Sequence, residues 1–210
     1  MAWSRVSPVL DAEAAGPPER ALLDRARAGE VEALRALYER HAPAVRRFLA
    51  GLLGDATAAD DGTQETFARA FRRLASLGEA DRVAPWLFGI ARNVAHELRR
   101  GRRRDAGAPS AAGGGAGGEA AGGEAALART PEDELLGREA ARAVGRALEQ
   151  LNDDRRAALL LRVDHDLAYD EIARLMGWSL AKVKVEIHRA RLVLRAQLAG
   201  YEGEEEGVGP

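Results

Sequence analysis

Few side chains in this sequence have the types and spacing that catalysis or metal binding requires. The four histidines are His41, His96, His165 and His188, and none of them has a second histidine four residues further on. There is no cysteine, which excludes disulfides and thiolate–zinc sites. Asp164-His165-Asp166 is a local cluster of metal-ligating types, but three adjacent side chains point in different directions, so we interpret it as a polar turn. The pattern predicts no metal, no cofactor and no enzymatic activity.

Cationic side chains are concentrated at two places in the chain. Five arginines occur within six residues, interrupted by Gly101: Arg99, Arg100, Arg102, Arg103 and Arg104. Their mutual repulsion would be relieved by phosphates, which favours a nucleic-acid contact. A second group lies near the C-terminus and contains Lys182, Lys184, Arg189, Arg191 and Arg195. The net charge of −2 argues against a uniformly basic coat, so local patches would bind a polyanion.

The second cationic group belongs to a helix-turn-helix pattern. The sequence predicts helices over residues 169–176 and 180–198, with the turn marked by Gly177 and a cap at Ser179. An inward stripe repeats at helical spacing and comprises Val183, Ile187, Ala190 and Leu194. Such a helix suits a DNA major groove. The alternative is a small helical bundle with a solvated basic face.

Composition divides the remaining sequence into helical and low-complexity segments. We predict a flexible leader at 1–17, a helical domain at 18–104 and a Gly/Ala-rich linker at 105–129, followed by a helical domain at 130–200 and an acidic tail at 201–210. Within the first domain, three helices are expected before Gly54, with Pro43 interrupting or starting one of them. The linker's 25 residues could span roughly 80 Å. The fold class is therefore all-α, with two domains.

Two stretches of the first domain resemble the extracytoplasmic-function (ECF) group of bacterial sigma factors. Residues 59–71 are similar to a helix of sigma region 2, with matches at Asp61, Gln64, Glu65, Thr66, Phe67 and Ala70. Residues 81–93 are similar to a second segment of that region, with its Trp-Leu, aromatic, Ile-Ala-Arg-Asn signature. The alternative for the first stretch is an ordinary solvated acidic face with Phe67 and Phe71 in the core. The alternative for the second is that the aromatic residues Trp86 and Phe88 lie in the core.

The second domain resembles sigma region 4, from the leucine-rich helix at 159–162 through the helix-turn-helix. The sequence departs from the family pattern at Gly62-Thr63, where an apolar pair is usual. Because glycine is a poor helix former, we expect the helix of residues 59–71 to begin after Gly62 or to be loosely wound at that residue. It also has Ala168 in place of a common capping serine, and Val185-Glu186 where small polar and basic residues are frequent. A glutamate at 186 facing phosphates would be repelled, although it could accept a hydrogen bond from cytosine.

The resemblance implies three sets of site residues. The polymerase-binding set comprises Asp60, Asp61, Gln64 and Glu65. The set for minus-ten DNA comprises Arg82, Trp86, Arg92, Asn93, Arg99, Arg100, Arg102 and Arg103. The set for minus-thirty-five DNA comprises Ser179, Lys182, Lys184, His188, Arg189 and Arg191.

The implied function is that of a cytoplasmic sigma factor that binds core RNA polymerase, recognises both promoter elements and promotes melting. The implied partners are core polymerase, duplex promoter DNA and the melted non-template strand, with an anti-sigma factor as a family-level expectation and no membrane insertion. The alternative is a sigma-like regulatory protein that binds polymerase or an inhibitor without efficient promoter recognition. Gly62 and Glu186 are the residues that motivate this alternative.

Overall fold

A computed structural model of the chain describes residues 18–78, 82–106 and 131–202, and these ranges contain helices and no strand. The helices are α1 (Glu19–Arg27), α2 (Val31–Leu53), α3 (Ala56–Arg72), α4 (Val83–Ala106), α5 (Pro131–Glu149), α6 (Asp153–Val163), α7 (Tyr169–Met176) and α8 (Leu180–Glu202), with a short 3-10 helix at Leu74–Ser76. The all-α prediction with a helix-turn-helix in its second part is confirmed. The predicted leader, most of the predicted linker and the end of the tail lie outside the described residues.

The described residues form two compact units, which divide between Arg40 and His41. In the first unit, α1 buries Leu22, Leu23 and Ala26, and Gly29 follows with a φ of +85°, a conformation that glycine adopts without steric cost. None of the described helices is long and apolar enough to cross a bilayer.

Helix α2 runs without a break through Pro43, so the predicted interruption there is wrong. Proline inside a helix costs roughly 3 kcal/mol because it lacks an N–H group and its ring crowds the preceding turn. Val45, Phe48 and Leu49 follow in the same helix and are almost fully buried. Burying three such side chains contributes roughly 5 kcal/mol or more, which outweighs the local cost of the proline.

Helix α3 begins at Ala56, six residues before Gly62, so the expected late or loose start is also wrong. The carboxylate of Asp55 caps the helix by accepting the N–H of Ala58 at 2.9 Å. A Cβ placed on Gly62 would lie 3.2 Å from Leu49 Cδ1 and 3.4 Å from Leu98 Cδ1. The glycine therefore allows α2 and α4 to pack closely on α3, and this tertiary contact offsets its low helix propensity.

In the second unit, α8 packs against α5, α6 and α7. Helices α7 and α8 form the helix-turn-helix predicted from the sequence. Asn152 caps α6 by accepting the N–H of Arg155 at 2.8 Å. Gly177 ends α7 with a φ of +64°, and Ser179 caps α8 by accepting the N–H of Lys182 at 3.2 Å. The buried stripe of α8 contains Val183, Ile187 and Ala190.

Two groups of helices meet within the second unit. We call residues 41–106 the first head and residues 131–202 the second head. Helix α4 of the first head packs against α7 of the second. A Cβ on Gly51 of α2 would lie 2.8 Å from Leu160 Cδ1 of α6, so these helices also approach closely. We call this contact the seam.

Candidate nucleic-acid and polymerase interfaces

The surface of α8 opposite its buried stripe is cationic. The predicted minus-thirty-five residues on this surface are all exposed: Ser179, Lys182, Lys184, His188, Arg189 and Arg191. The Lys182 ammonium lies 4.4 Å from the centre of the Trp178 ring, a cation–π contact that orients it at the start of the helix. A helix that is buried along one stripe and cationic elsewhere can approach phosphates without exposing its apolar residues.

Glu186 on the same helix turns toward the protein. Its carboxylate accepts a hydrogen bond from Arg155 Nε of α6 at 2.7 Å and from Arg189 Nη1 at 3.2 Å. The hydrogen bond from Arg155, aided by both positive charges, lowers the pKa of Glu186 from its ordinary value. The side chain is only 15% exposed. The expected repulsion of phosphates by Glu186 is therefore offset by two cations, whereas Val185 beside it is exposed.

Four of the arginines predicted to hold minus-ten DNA are paired with carboxylates. Arg82 Nη1 donates to Glu171 at 2.8 Å, and Arg92 Nη2 donates to Asp154 at 2.6 Å. Arg99 pairs with Asp153, and Arg102 pairs with Asp55 at 2.9 Å. Only the Arg102 partner belongs to the first head, so the other three pairs cross the seam. A nucleic-acid phosphate would have to compete with these carboxylates.

The other predicted minus-ten residues differ in exposure. Asn93 and Arg100 are exposed, Trp86 is half-buried, and the Arg103 side chain is outside the described part of the chain. Phe88 is buried, with its ring centre 5.2 Å from Phe48 and 4.5 Å from His165. Phe88 therefore belongs to the core, as one of the two sequence interpretations held, whereas Trp86 is only half-buried.

A cavity of about 400 Å³ lies beside the exposed face of α4. The predicted residues Asn93, Arg99 and Arg100 line it. Sequence reasoning missed five further polar side chains in the lining, Arg69, Arg73, His96, Glu97 and Asp153. The pair Arg69 and Arg73 has i,i+4 spacing, which would have placed both on one face of α3. Four arginines outnumber the two carboxylates of the lining, so the cavity suits an anionic ligand.

Arg69 also connects the cavity to the predicted polymerase-binding face. Its guanidinium donates to both carboxylate oxygens of Glu97, at 2.9 and 2.7 Å, and to Glu65 at 2.6 Å. The hydrogen bonds that Arg69 donates to Glu97 and Glu65 raise the pKa of Arg69 above its ordinary value. The bidentate contact with Glu97 orients the guanidinium, and Arg69 Nε in turn holds the carboxylate of Glu65.

The remaining residues of the predicted polymerase-binding set lie at the surface of α3. Asp60, Asp61 and Gln64 are exposed. Asp60 pairs with Arg46 of α2, and this hydrogen bond lowers the pKa of the carboxyl group. The structure brings all four predicted residues onto one helix with their polar ends accessible, as a docking face requires.

His165 is a buried histidine that sequence reasoning placed in a polar turn. Its side chain is 3% exposed and packs against Phe48 and Phe88 of the first head. Nε2 lies 3.3 Å from the Asp164 carboxylate but is not aligned for a hydrogen bond. Among the described residues, no group of three or more histidine, cysteine, aspartate or glutamate side chains could hold a metal ion. This residue is therefore a packing element of the seam.

Burial makes His165 a source of pH-dependent stability. Desolvation lowers the pKa of His165 from its ordinary value of 6.5 to about 4, with Asp164 raising it and Arg47 lowering it as smaller causes. Between these pH values the unfolded chain binds more protons, so stability falls as the pH falls from about 6.5 to about 4. We expect the free energy of unfolding of wild type, relative to that of His165→Gln, to fall by roughly 2 kcal/mol when the pH is lowered from about 7.5 to about 5. Urea unfolding of both proteins at the two pH values measures this change. An identical difference at both pH values would contradict this account of His165.

The fold and its cationic surfaces define a helix-turn-helix DNA-binding protein. The family model for Sigma-70 region 2 matches residues 37–105, and the model for Sigma-70, region 4 matches residues 141–194. The chain is 31% identical to RNA polymerase sigma factor YlaC of Bacillus subtilis (strain 168), over 80% of this chain and 94% of that protein. It is 32% identical to ECF RNA polymerase sigma factor SigL of Mycobacterium tuberculosis (strain ATCC 25618 / H37Rv), over 82% and 93%.

The chain therefore belongs to the RNA polymerase sigma factors of the ECF group. The same fold occurs in the sigma factor RpoE solved in complex with the anti-sigma factor NepR from Bartonella quintana, with a TM-score of 0.63, 24% identity, and coverage of 80% of this chain and 98% of that chain. CnrH, solved in complex with the cytosolic domain of CnrY, also has a TM-score of 0.63 at 24% identity, over 87% of this chain and 97% of that chain.

Proposed function

We propose that this protein binds core RNA polymerase in the cytoplasm and directs it to promoters by contacting both the minus-ten and the minus-thirty-five elements. The observation that carries the proposal is the presence of sigma regions 2 and 4 in one chain, each with an accessible polar surface. Polymerase supplies the chemistry, and this chain supplies position and specificity. We do not propose an enzymatic activity for it.

The first contact is with polymerase, through the exposed face of α3. Asp60, Asp61, Gln64 and Glu65 present carboxylate and amide oxygens to a basic partner surface. Glu65 is held by Arg69, so its orientation is fixed before binding. Charged groups arranged in this way fix the register of a complex and speed its formation.

The second contact is with the melted non-template strand of the minus-ten element, along α4. Arg92, Arg99, Arg100 and Arg102 supply positive charge along one helix, and Asn93 supplies an amide able to hydrogen-bond a base. The half-buried Trp86 lies near the start of this helix. Cations beside a polar cavity are suited to a single strand whose bases have left the stack. We propose that capture of this strand promotes melting.

The third contact is with duplex DNA at the minus-thirty-five element, through the exposed surface of α8. Lys184→Ala is expected to weaken binding to a mixed-sequence duplex of about three helical turns by roughly tenfold, because a charge-assisted hydrogen bond to phosphate is lost. The slope of log affinity against log salt should fall by about one. Fluorescence anisotropy across a salt series measures both quantities. Arg142→Ala, an exposed cation of α5, is the matched control, and equal losses in the two variants would contradict the assignment of α8.

An anti-sigma protein is a further proposed partner, because RpoE, which has the same fold, was solved in complex with the anti-sigma factor NepR. The structure does not favour the alternative of a polymerase-binding protein that reads promoters poorly. Gly62 sits in a close helix contact, and Glu186 is paired with Arg155, so the two departures that motivate the alternative each have a local explanation.

A further inference from the structure

A narrow apolar ridge interrupts the cationic surface of α8. Val185 and Leu192 follow the buried Val183 by two and nine residues. Because an α-helix has about 3.6 residues per turn, these spacings place both side chains roughly opposite the stripe that packs on the protein. Val185 is 45% exposed, Leu192 is 48% exposed, and the exposed Ala181 and Ala196 extend the same ridge. The line of α8 that lies farthest from the core is therefore apolar.

Exposed cations lie along both sides of this ridge. One side carries Lys184, Arg191 and Arg195, and the other carries Lys182 and Arg189. Glu186 stands on the second side, where its carboxylate accepts hydrogen bonds from Arg155 and Arg189. The ridge is therefore a neutral strip with positive charge along each edge, and the one acidic group beside it is already paired within the protein.

The width and charge of this surface match those of a DNA major groove. The groove is roughly 12 Å wide and admits a helix whose diameter with side chains is roughly 10–12 Å. A helix that enters with the ridge foremost brings its cationic sides toward the two phosphate backbones, while the ridge meets the edges of the base pairs. Charge complementarity therefore favours duplex DNA as the occupant, since a second copy of this chain would bring like charges together.

We propose that Val185 recognises a thymine in the minus-thirty-five element through apolar contact with the C5-methyl group of that base. The inference rests on the proposed function and adds to it the chemical group that is recognised. The methyl of thymine is the apolar group that unmodified base pairs present in the major groove. Val185 lies in the second turn of α8, and residues near the start of a recognition helix reach base edges. Leu192 lies roughly 10 Å further along the helix, so we assign no base to it.

The chemistry of valine determines which base it favours. Its side chain has no hydrogen-bond donor or acceptor, so it distinguishes bases by apolar contact. A cytosine at the same place would turn its amino group toward Val185 and lose water without gaining a partner. Burial of one methyl group against the valine accounts for an affinity ratio of about fourfold between thymine and uracil. This ratio is small but specific, because uracil differs from thymine by that methyl group alone.

Methyl deletion in a preferred duplex tests the proposal with the full chain. Selection from duplexes in which about two helical turns are randomised, by the protein alone and bound to core polymerase, identifies the preferred sequence. Each thymine of that sequence is then replaced singly by deoxyuridine, which keeps the hydrogen-bonding groups and lacks the methyl. At one position the replacement should weaken binding of wild type by about fourfold. Fluorescence anisotropy measures the affinities.

Val185→Ser links the methyl effect to this residue, and Val163→Ser is its matched control. Val163 is 54% exposed at the end of α6, so both variants exchange an exposed helical valine for the same side chain. Val185→Ser should bind the thymine and deoxyuridine duplexes within about twofold of each other, whereas Val163→Ser should keep the wild-type ratio. The slope of log affinity against log salt should be the same in both variants, because neither removes a phosphate contact.

The outcomes separate failure of the inference from failure of the proposed function. If wild type prefers a sequence but no single deoxyuridine weakens binding, or if Val185→Ser keeps the wild-type ratio, the inference is overturned and the proposed function stands. If Val185→Ser instead disrupts association between copies of the chain, measured by sedimentation, and leaves the deoxyuridine effect intact, the ridge is a protein contact and the inference is also overturned. If wild type prefers no sequence, alone or with core polymerase, the proposed function fails, and the inference fails with it.

Discussion

Replacing Asp61 with lysine is expected to weaken binding of this protein to core RNA polymerase by about 30-fold or more. Asp61 is exposed on α3, and beside it Asp60 and Glu65 already have arginine partners within the protein. Removing one member of an interfacial charge pair costs roughly 2–5 kcal/mol, and reversing its sign adds repulsion. Titration of labelled protein with core polymerase measures the loss.

The control for Asp61→Lys is Glu139→Lys, which makes the same charge change at an exposed position of α5. Circular dichroism verifies that both variants remain helical. If the two variants bind core polymerase equally well, α3 is not the docking face, although the family assignment would be unaffected.

Replacing Phe48 with alanine is expected to lower the free energy of unfolding by roughly 3–5 kcal/mol. Phe48 is fully buried in α2, and its ring meets Phe88 edge-on and also contacts His165. The substitution removes a large apolar side chain from the core of the first head and from the seam. It leaves a cavity that the surrounding rings can fill only in part. Urea unfolding followed by circular dichroism measures the change.

Val163→Ala is the comparison for Phe48→Ala, because Val163 is 54% exposed at the end of α6. Its free energy of unfolding should stay within about 0.5 kcal/mol of wild type. A loss below about 1 kcal/mol for Phe48→Ala would mean that Phe48 does not hold the core in solution.

The elements that were predictable from sequence are those with local signals. The stripe Val183, Ile187 and Ala190 repeats at helical spacing, and Gly177 and Ser179 mark the turn and the cap of the helix-turn-helix. Each signal depends on residues close in the chain, so a single sequence contains all the information needed.

Pro43 and Gly62 misled the sequence interpretation because their local costs are outweighed by tertiary contacts. Burial of the residues after Pro43 keeps α2 helical, and the approach of Leu49 and Leu98 explains the glycine of α3. Neither effect is visible without knowing which helices meet. Propensity is a weak guide where packing decides.

The seam was not predictable for a different reason. Arg92 and Asp154 are 62 residues apart, and Arg99 and Asp153 are 54 apart, with the low-complexity segment between them. Nothing in a periodic pattern connects such positions. His165 was placed in a polar turn because its neighbours are aspartates, whereas the rings that bury it come from the first head.

The most direct test of the proposed function is transcription in vitro with core polymerase and a library of genomic promoter fragments, followed by mapping of the RNA 5′ ends. Addition of this protein should yield starts at a defined set of promoters that share sequence at both the minus-ten and minus-thirty-five positions, and Lys184→Ala should reduce their yield. If the protein binds core polymerase but the starts are the same as with core polymerase alone, it does not act as a promoter-specificity factor.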